Sequence, residues 1–173
     1  MSSQLVLALF ENEAAADGAV DAIKQWDKAS KDVKLGAIGV MVKNDKGKIK
    51  THKLGSRHSV LGAVLFGLAA VMTGGAIIGL GLVGGSIVGA GVGALFHKGL
   101  KMSKEEKEQL DQELNDGKAA VAIMAKEDEA DAVAAKLAEL GGQAETYEVS
   151  DEAIEDAQAA AAEAPEEPAE DAS

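Results

Sequence analysis

The chain has 173 residues, which is enough for one domain or for a small domain with an insertion. It has no cysteine, which excludes disulfides, thiolate metal sites and a cysteine nucleophile. Hydrophobic residues make up 47% but aromatic residues only 3%, so the apolar volume comes from small aliphatic side chains. Such a core is thin, and oligomerisation or burial in a membrane would supplement it.

The net charge of −12 is distributed unevenly along the chain. Residues 43–104 carry nine bases and one acid, residues 105–149 carry thirteen acids and four bases, and residues 150–173 carry nine acids and no base. The basic stretch suits the anionic phosphates of a membrane surface, whereas the acidic remainder repels nucleic acid. Anionic lipid is therefore an expected partner and nucleic acid is not. The N-terminus has no signal-peptide pattern, so membrane entry is expected from the middle of the chain.

The first elements in chain order are a strand, a helix and two further strands. Residues 5–10 form a short apolar run that predicts a buried strand. Residues 35–42 predict a second strand, and residues 48–54 predict an edge strand after the turn sequence at 44–47. The helix between the first two strands is indicated by apolar residues at helical spacing, which are Ala16, Ala19, Val20, Ile23 and Trp26.

An uncharged stretch of 38 residues, 59–96, follows. As one straight helix it would be about 57 Å long, nearly twice the apolar thickness of a bilayer. Thr73, Gly74 and Gly75 lie near its middle and predict a turn, so we expect a helical hairpin within residues 56–102. The first helix would have roughly 14 residues, fewer than the roughly 20 needed to span, so the hairpin either spans a thin bilayer or only enters it.

Small residues recur along this stretch in a pattern that predicts close helix packing. Such stripes let helix backbones approach, and van der Waals contact then holds helices together in lipid. In water each glycine within a helix would cost about 1 kcal/mol relative to alanine, which argues against a lone soluble helix. A soluble homo-oligomer that buries its hairpins is the alternative. The predicted packing residues are Gly81, Gly85, Gly89 and Gly93 in the second helix, and Ala63 and Gly67 in the first.

Basic residues border both ends of the uncharged stretch. Arg57 precedes it, and Lys98 and Lys101 follow it; all three are predicted to contact lipid phosphates. Because positive charge favours the cytoplasmic side, both ends of the hairpin, and with them both termini, are expected there.

The C-terminal part begins with a capping box, Ser103 followed by Glu106, which opens a helix with Leu110 and Leu114 on one face. Gly117 occupies the position of a C-terminal cap. A strand at 119–124, a helix at 127–140, a strand at 143–149 and a fraying helix at 150–162 are predicted next. The acidic tail from residue 163 is expected to be disordered.

An ungapped shift of 114 residues aligns the first strand and helix with the later strand and helix, so that Ala16 falls on Ala130 and Ile23 on Leu137. Two βαβ units of this size form the halves of a ferredoxin-like fold. The predicted fold class is therefore α+β and ferredoxin-like. Its two halves are predicted at residues 1–55 and 103–149. A hairpin with the glycine stripe, a glycine zipper, is inserted between them at residues 56–102, and a mostly disordered acidic tail follows at residues 150–173.

This pattern, two βαβ halves around a glycine-rich hydrophobic stretch, resembles a bacterial family of predicted membrane proteins whose function is unknown. The resemblance implies the ferredoxin-like fold and membrane association. The expected location is the bacterial cell membrane, with a cytoplasmic location as the alternative. It supplies no catalytic residues.

Catalytic chemistry is not indicated by the sequence. The glycines near residue 75 lack the Gly-Lys-Ser/Thr that a phosphate loop needs, and His52 and His58 lie among bases that disfavour a metal ion. We therefore predict no enzyme activity, no cofactor, no metal and no small-molecule substrate. The predicted function is a membrane-anchored, self-assembling structural or stress-related protein. An oligomeric pore is a further alternative, although few polar residues are present to line it.

Overall fold

The structure, a computed structural model, describes residues 3–31, 35, 38–43, 45, 49–52, 101–152, 154 and 155, with only the backbone described at 49–52. The fold is α+β. Its elements in chain order are β1 (Ser3–Phe10), α1 (Glu13–Ala29), β2 (Ile38–Lys43), β3 (Ile49–His52), α2 (Lys104–Asn115), β4 (Ala119–Lys126), α3 (Glu127–Glu139) and β5 (Gln143–Val149).

The five strands form one sheet in the order β3-β2-β4-β1-β5, and every neighbouring pair is antiparallel. Strand β4 comes from the C-terminal half of the chain, yet it lies between β1 and β2 of the N-terminal half. Each half therefore lacks a strand that the other half supplies, and the sheet needs both. The predicted edge strand is confirmed, since β3 lies at one edge of the sheet.

The pairing of β1 with β4 has the symmetry that a duplicated strand requires. Ala8 pairs with Val121, and Leu7 pairs with Ala122. A shift of 114 residues turns the first pair into the second, so the internal repeat places an approximate two-fold axis between these two pairs.

One face of the sheet, the two-helix face, is covered by α1 and α3. Alternate residues of β1, β2 and β4 pack there against the apolar faces of the two helices. The predicted face of α1 is confirmed, because four of its residues are buried and Trp26 packs against the same core. The residues of α3 that the shift of 114 residues aligns with this face are buried in the same way. They are Ala130, Val133 and Leu137.

Helices α2 and α3 end in the same manner, each with a glycine in the left-handed region. Gly117 has φ +88° and Gly141 has φ +95°. After α2, the Gly117 amide donates to the Leu114 carbonyl at 3.2 Å and the Lys118 amide to the Glu113 carbonyl at 3.2 Å. These two bonds define the Schellman motif, which is repeated after α3 by the amides of Gly141 and Gly142.

The second strand begins later than the sequence predicts, at Ile38 instead of residue 35. The amide of Leu35 donates to the Asp27 carboxylate at 2.9 Å, so a side chain of α1 holds this residue in the connection. Leu35 still packs against the core, which explains why its hydrophobicity resembled that of a strand residue.

Candidate functional site

The other face of the sheet, the α2 face, lies next to the place where the chain resumes after the uncharged stretch. Helix α2 contacts β2 and β4 there. Its start is fixed by the predicted capping box: the Glu106 amide donates to the Ser103 hydroxyl at 3.2 Å, and the Ser103 amide donates to the Glu106 carboxylate at 2.6 Å. Leu110 and Leu114 are buried, as predicted for one face of this helix.

An ion pair ties α2 to the end of β2. The Lys43 ammonium lies 2.6 Å from the Asp111 carboxylate, and its side chain is only 10% exposed. A charge-assisted hydrogen bond of this kind is stronger where water is largely excluded. It fixes α2 over the sheet from a residue 68 positions away in the chain.

Lys107 lies on the buried face of α2, about one turn before Leu110 and two turns before Leu114. The residue is 7% exposed, and its ammonium has no hydrogen-bond partner among the described residues. Burial lowers the pKa of Lys107 below its ordinary value because the charged form is poorly solvated there. A buried amine without a partner is an unusual feature, and its neighbours along the helix face are leucines.

A small cleft opens between α2 and strands β1 and β5. It encloses about 50 Å³, which has room for a few water molecules but not for the several hundred Å³ of a typical small-molecule site. Tyr147 lies in it and donates its hydroxyl proton to Glu145. Burial, with this hydrogen bond as the second cause, raises the pKa of Tyr147 far above its ordinary value. The other lining residues are Leu7, Leu9, Glu106, Gln109, Leu110 and Gln143.

Lys101 is attached to the outermost strand, β5. Its amide donates to the Glu148 carbonyl at 3.1 Å, and its ammonium forms an ion pair with the Glu148 carboxylate. The Lys101 side chain is 74% exposed, so it remains open to other anions. A second lysine, Lys118, pairs with Glu113, and that hydrogen bond raises the pKa of Lys118.

Of the residues predicted to act in a membrane, only Lys101 lies in the part of the chain that the structure describes. Its contact with lipid phosphate stays a prediction. The other predicted site residues lie outside the part of the chain that the structure describes. They are Arg57, Ala63, Gly67, Thr73, Gly74, Gly75, Gly81, Gly85, Gly89, Gly93 and Lys98.

Sequence reasoning missed Lys107, Tyr147 and the Lys43–Asp111 pair. Lys107 had a recognisable signal, since it precedes Leu110 and Leu114 by three and seven residues and so shares their helix face. The ion pair between Lys43 and Asp111 had no signal in the sequence, because it depends on how a helix distant in the chain packs on the sheet.

None of the helices described is both long and apolar enough to cross a membrane. Within the same residues, no group of three or more histidine, aspartate or glutamate side chains is placed to hold a metal ion.

The fold and this face define an α+β protein whose sheet interleaves the segments before and after an uncharged insertion. The model of a family described as a protein of unknown function, DUF1269, matches residues 60–162. The chain belongs to this family, whose match begins inside the uncharged stretch and ends beyond β5. No curated protein and no solved structure matches the chain.

Proposed function

We propose that the chain is a membrane-associated, self-assembling structural protein in which the sheet is a platform and the uncharged insertion is the membrane part. The observation that carries this proposal is the uncharged, glycine-rich stretch of residues 59–96. The position of β4 between β1 and β2 adds that the segments before and after this stretch belong to one sheet. The strand order, with β3 as an added edge strand, supports a ferredoxin-like assignment for the platform.

The interleaved sheet limits how residues 53–100 can meet a bilayer. Strands β1 to β3 precede them and β4 and β5 follow them, yet all five strands form one sheet. If the insertion enters a membrane, the chain must therefore enter and leave that membrane on the same side. A helical hairpin satisfies this requirement and a single crossing does not, which supports the turn proposed at Thr73, Gly74 and Gly75.

The proposed assembly contact is the glycine stripe of the second hairpin helix, Gly81 to Gly93 in steps of four. Hydrogen side chains let helices pack closely where lipid gives no hydrophobic drive. Arg57, Lys98 and Lys101 are proposed to meet lipid phosphates at the surface, and the exposure of the Lys101 side chain is compatible with that role. We propose no reaction for the chain.

Cell fractionation with a carbonate wash, followed by sizing with and without detergent, is the first test. Retention in washed membranes and a need for detergent are expected for an embedded hairpin. A large species that is soluble without detergent would replace this proposal with a soluble assembly that buries its hairpins. Leakage of reconstituted liposomes would instead favour the pore.

The absence of cysteine allows a sharper test of the hairpin. Single variants Lys31→Cys and Glu152→Cys, at exposed positions before and after the insertion, are labelled with a membrane-impermeant maleimide in sealed vesicles of known orientation. Both should react from the same side, the cytoplasmic one, whereas Thr73→Cys should not react from that side. Labelling of the first two variants from opposite sides would refute the hairpin.

Assembly is tested separately with Gly85→Leu and Gly89→Leu combined. The two leucines should block close approach and dissociate the oligomer. The pair Leu82→Ala and Val83→Ala, beside the stripe, serves as the control. An oligomer of unchanged size in the glycine variant would refute the packing stripe while leaving the hairpin intact.

A further inference from the structure

The two edge strands of the sheet, β3 and β5, run in the same direction. The strand order is β3-β2-β4-β1-β5, and each of the four neighbouring pairs is antiparallel. An even number of reversals therefore separates the two edges. A second copy set beside the first in the same orientation brings its β3 next to β5 as a parallel pair, with the faces of the two sheets continuous.

The free side of β5 follows from its contact with Lys101. The Lys101 amide donates to the Glu148 carbonyl at 3.1 Å, although β1 lies on the other side of β5. The backbone groups of Glu148 therefore point away from β1, and so do those of Thr146 and Ala144, because every second residue of a strand faces the same neighbour. No strand of the part of the chain that the structure describes pairs with Thr146 or Ala144 from that side.

The same alternation, followed across the sheet, identifies the free backbone groups of β3. Val6 is the partner of Thr146 and therefore faces β4, where it exchanges bonds with Ile123. Ile123 thus turns away from β2, so the even-numbered residues of β2 turn to β3 and pair with its even-numbered residues. The odd-numbered residues of β3, Ile49 and Thr51, present their amides and carbonyls to the open side.

We propose that β3 of one copy adds to β5 of the next copy as a parallel strand, so that the platforms of neighbouring copies form one continuous sheet. In the proposed register Lys50 lies opposite Thr146 of the next copy. The inference rests on the proposed membrane association, because the membrane concentrates the copies. The contact itself uses none of the residues of the glycine stripe.

This register uses the free backbone groups of both edges. The Thr146 amide donates to the Ile49 carbonyl, and the Thr146 carbonyl accepts from the Thr51 amide, which is the slanted pattern of a parallel pair. The Glu148 amide donates to the Thr51 carbonyl, while the Glu148 carbonyl keeps its bond to Lys101. Strand β3 ends one residue before it would meet that lysine.

Charge favours the pairing of β3 with β5 over the pairing of like edges. Strand β5 carries two acids, Glu145 and Glu148, and no base, whereas β3 carries Lys50 and no acid. The Glu148 side chain stays 49% exposed beside Lys101. Opposite charges on neighbouring strands are stabilising, and two β5 strands would set acids against acids. A contact between unlike edges does not close on itself, so it produces rows of copies.

The contact is too small to hold dilute copies together. A strand of four residues does not bury the roughly 1,200 Å² of a stable interface, and exposed charge pairs are weak and screened by salt. Copies of the platform should therefore stay separate in dilute solution. The edges join where the insertion holds many copies in one bilayer, because this raises their effective concentration.

Disulfide trapping on the full chain, which has no native cysteine, tests the contact. When His52→Cys copies and Glu148→Cys copies are reconstituted together in liposomes, oxidation should give dimers that contain one copy of each. The double variant should give a ladder of larger oligomers. Its two cysteines lie four strand spacings apart in one copy, about 19 Å at roughly 4.8 Å each, and a disulfide joins Cα atoms no more than about 7 Å apart.

Further substitutions distinguish strand pairing from mere proximity of the copies. Thr146→Pro removes an amide that faces away from β1, so it should preserve the fold, measured by urea unfolding at Trp26, and lower trapping several-fold. Glu145→Pro, whose amide faces β1, is the matched control and should destabilise the sheet. Lys50→Glu leaves every backbone group in place and should also lower trapping several-fold.

Like-with-like dimers as abundant as mixed dimers would overturn the contact. Trapping that Thr146→Pro and Lys50→Glu both leave unchanged would overturn it as well. A chain that does not incorporate into liposomes would refute the proposed membrane association instead. Trapping of mixed dimers at high protein concentration in solution would then decide the contact between the edges.

Discussion

At the scale of the residue, Lys107 is the side chain least suited to its surroundings. Its ammonium is buried on α2 without a partner among the described residues. Lys107→Met keeps the length of the side chain and removes the unsolvated charge, so it should stabilise the fold by about 1 to 3 kcal/mol at neutral pH. Urea unfolding followed by the fluorescence of the single tryptophan, Trp26, measures this. Lys24→Met, at an exposed position of α1, should change stability by less than about 0.5 kcal/mol.

The same side chain predicts a pH dependence with a definite sign. Burial lowers the pKa of Lys107 in the folded state below the ordinary value of 10.5 that it has when unfolded. Between these two pKa values the unfolded chain binds more protons, so stability rises with pH in that window. The advantage of Lys107→Met should therefore be full below the folded pKa and fade as the pH approaches 10.5. An advantage that stays constant over this range would show that the ammonium is already neutral or solvated.

Alanine substitutions at two glycines distinguish the effect of tight packing from the effect of helix propensity. A Cβ on Gly142 would lie 2.7 Å from Cζ of the buried Phe10 ring and 3.1 Å from the Ala8 Cβ. Gly142→Ala should therefore destabilise the fold by about 1 to 3 kcal/mol through overpacking. Gly18→Ala is the matched control, because its Cβ would meet nothing within 4 Å on the exposed side of α1. It should stabilise by up to about 1 kcal/mol through helix propensity. Equal effects of the two changes in urea unfolding would contradict the packing argument.

At the scale of the element, the attachment of α2 depends on Lys43 and Asp111. A double-mutant cycle with Lys43→Met and Asp111→Leu should give a coupling energy of about 1 to 2 kcal/mol, because the Lys43 side chain is only 10% exposed. The exposed pair Lys104–Glu108 within α2 is the control, with an expected coupling of about 0.3 to 0.5 kcal/mol. A Lys43–Asp111 coupling no larger than the control would mean that leucine packing alone holds α2.

The elements themselves were largely predictable from the sequence, for local reasons. The spacing of Ala16 and Ile23 defined α1, Ser103 with Glu106 defined the start of α2, and Gly117 marked its end. The duplicated strand and helix further indicated two equivalent halves. The ion pair between Lys43 and Asp111 could not be predicted, because it depends on a contact between residues far apart in sequence. The burial of Lys107 could have been, because this residue shares a helix face with Leu110 and Leu114.

At the scale of the whole molecule, the sheet predicts that folding does not need the insertion. The five strands of the part of the chain that the structure describes lie before residue 53 and after residue 100, and their order requires both halves. Replacing residues 53–100 with a Gly/Ser linker of about 16 residues, whose root-mean-square span is about 22 Å, bridges the roughly 19 Å between the sheet edges.

The linker variant should fold as a soluble monomer with one cooperative urea transition monitored at Trp26 and with cross-strand contacts between β1 and β4 detectable by NMR. An equimolar mixture of residues 1–52 and 101–173 should form the same sheet only at high concentration, because association replaces a covalent connection. Residues 1–52 alone should remain unfolded, since β2 then lacks β4 between itself and β1. If the linker variant does not fold, the platform depends on its insertion, and the division into platform and membrane part is wrong. If it folds yet stays in carbonate-washed membranes, the platform itself binds the membrane, and the hairpin is not the anchor.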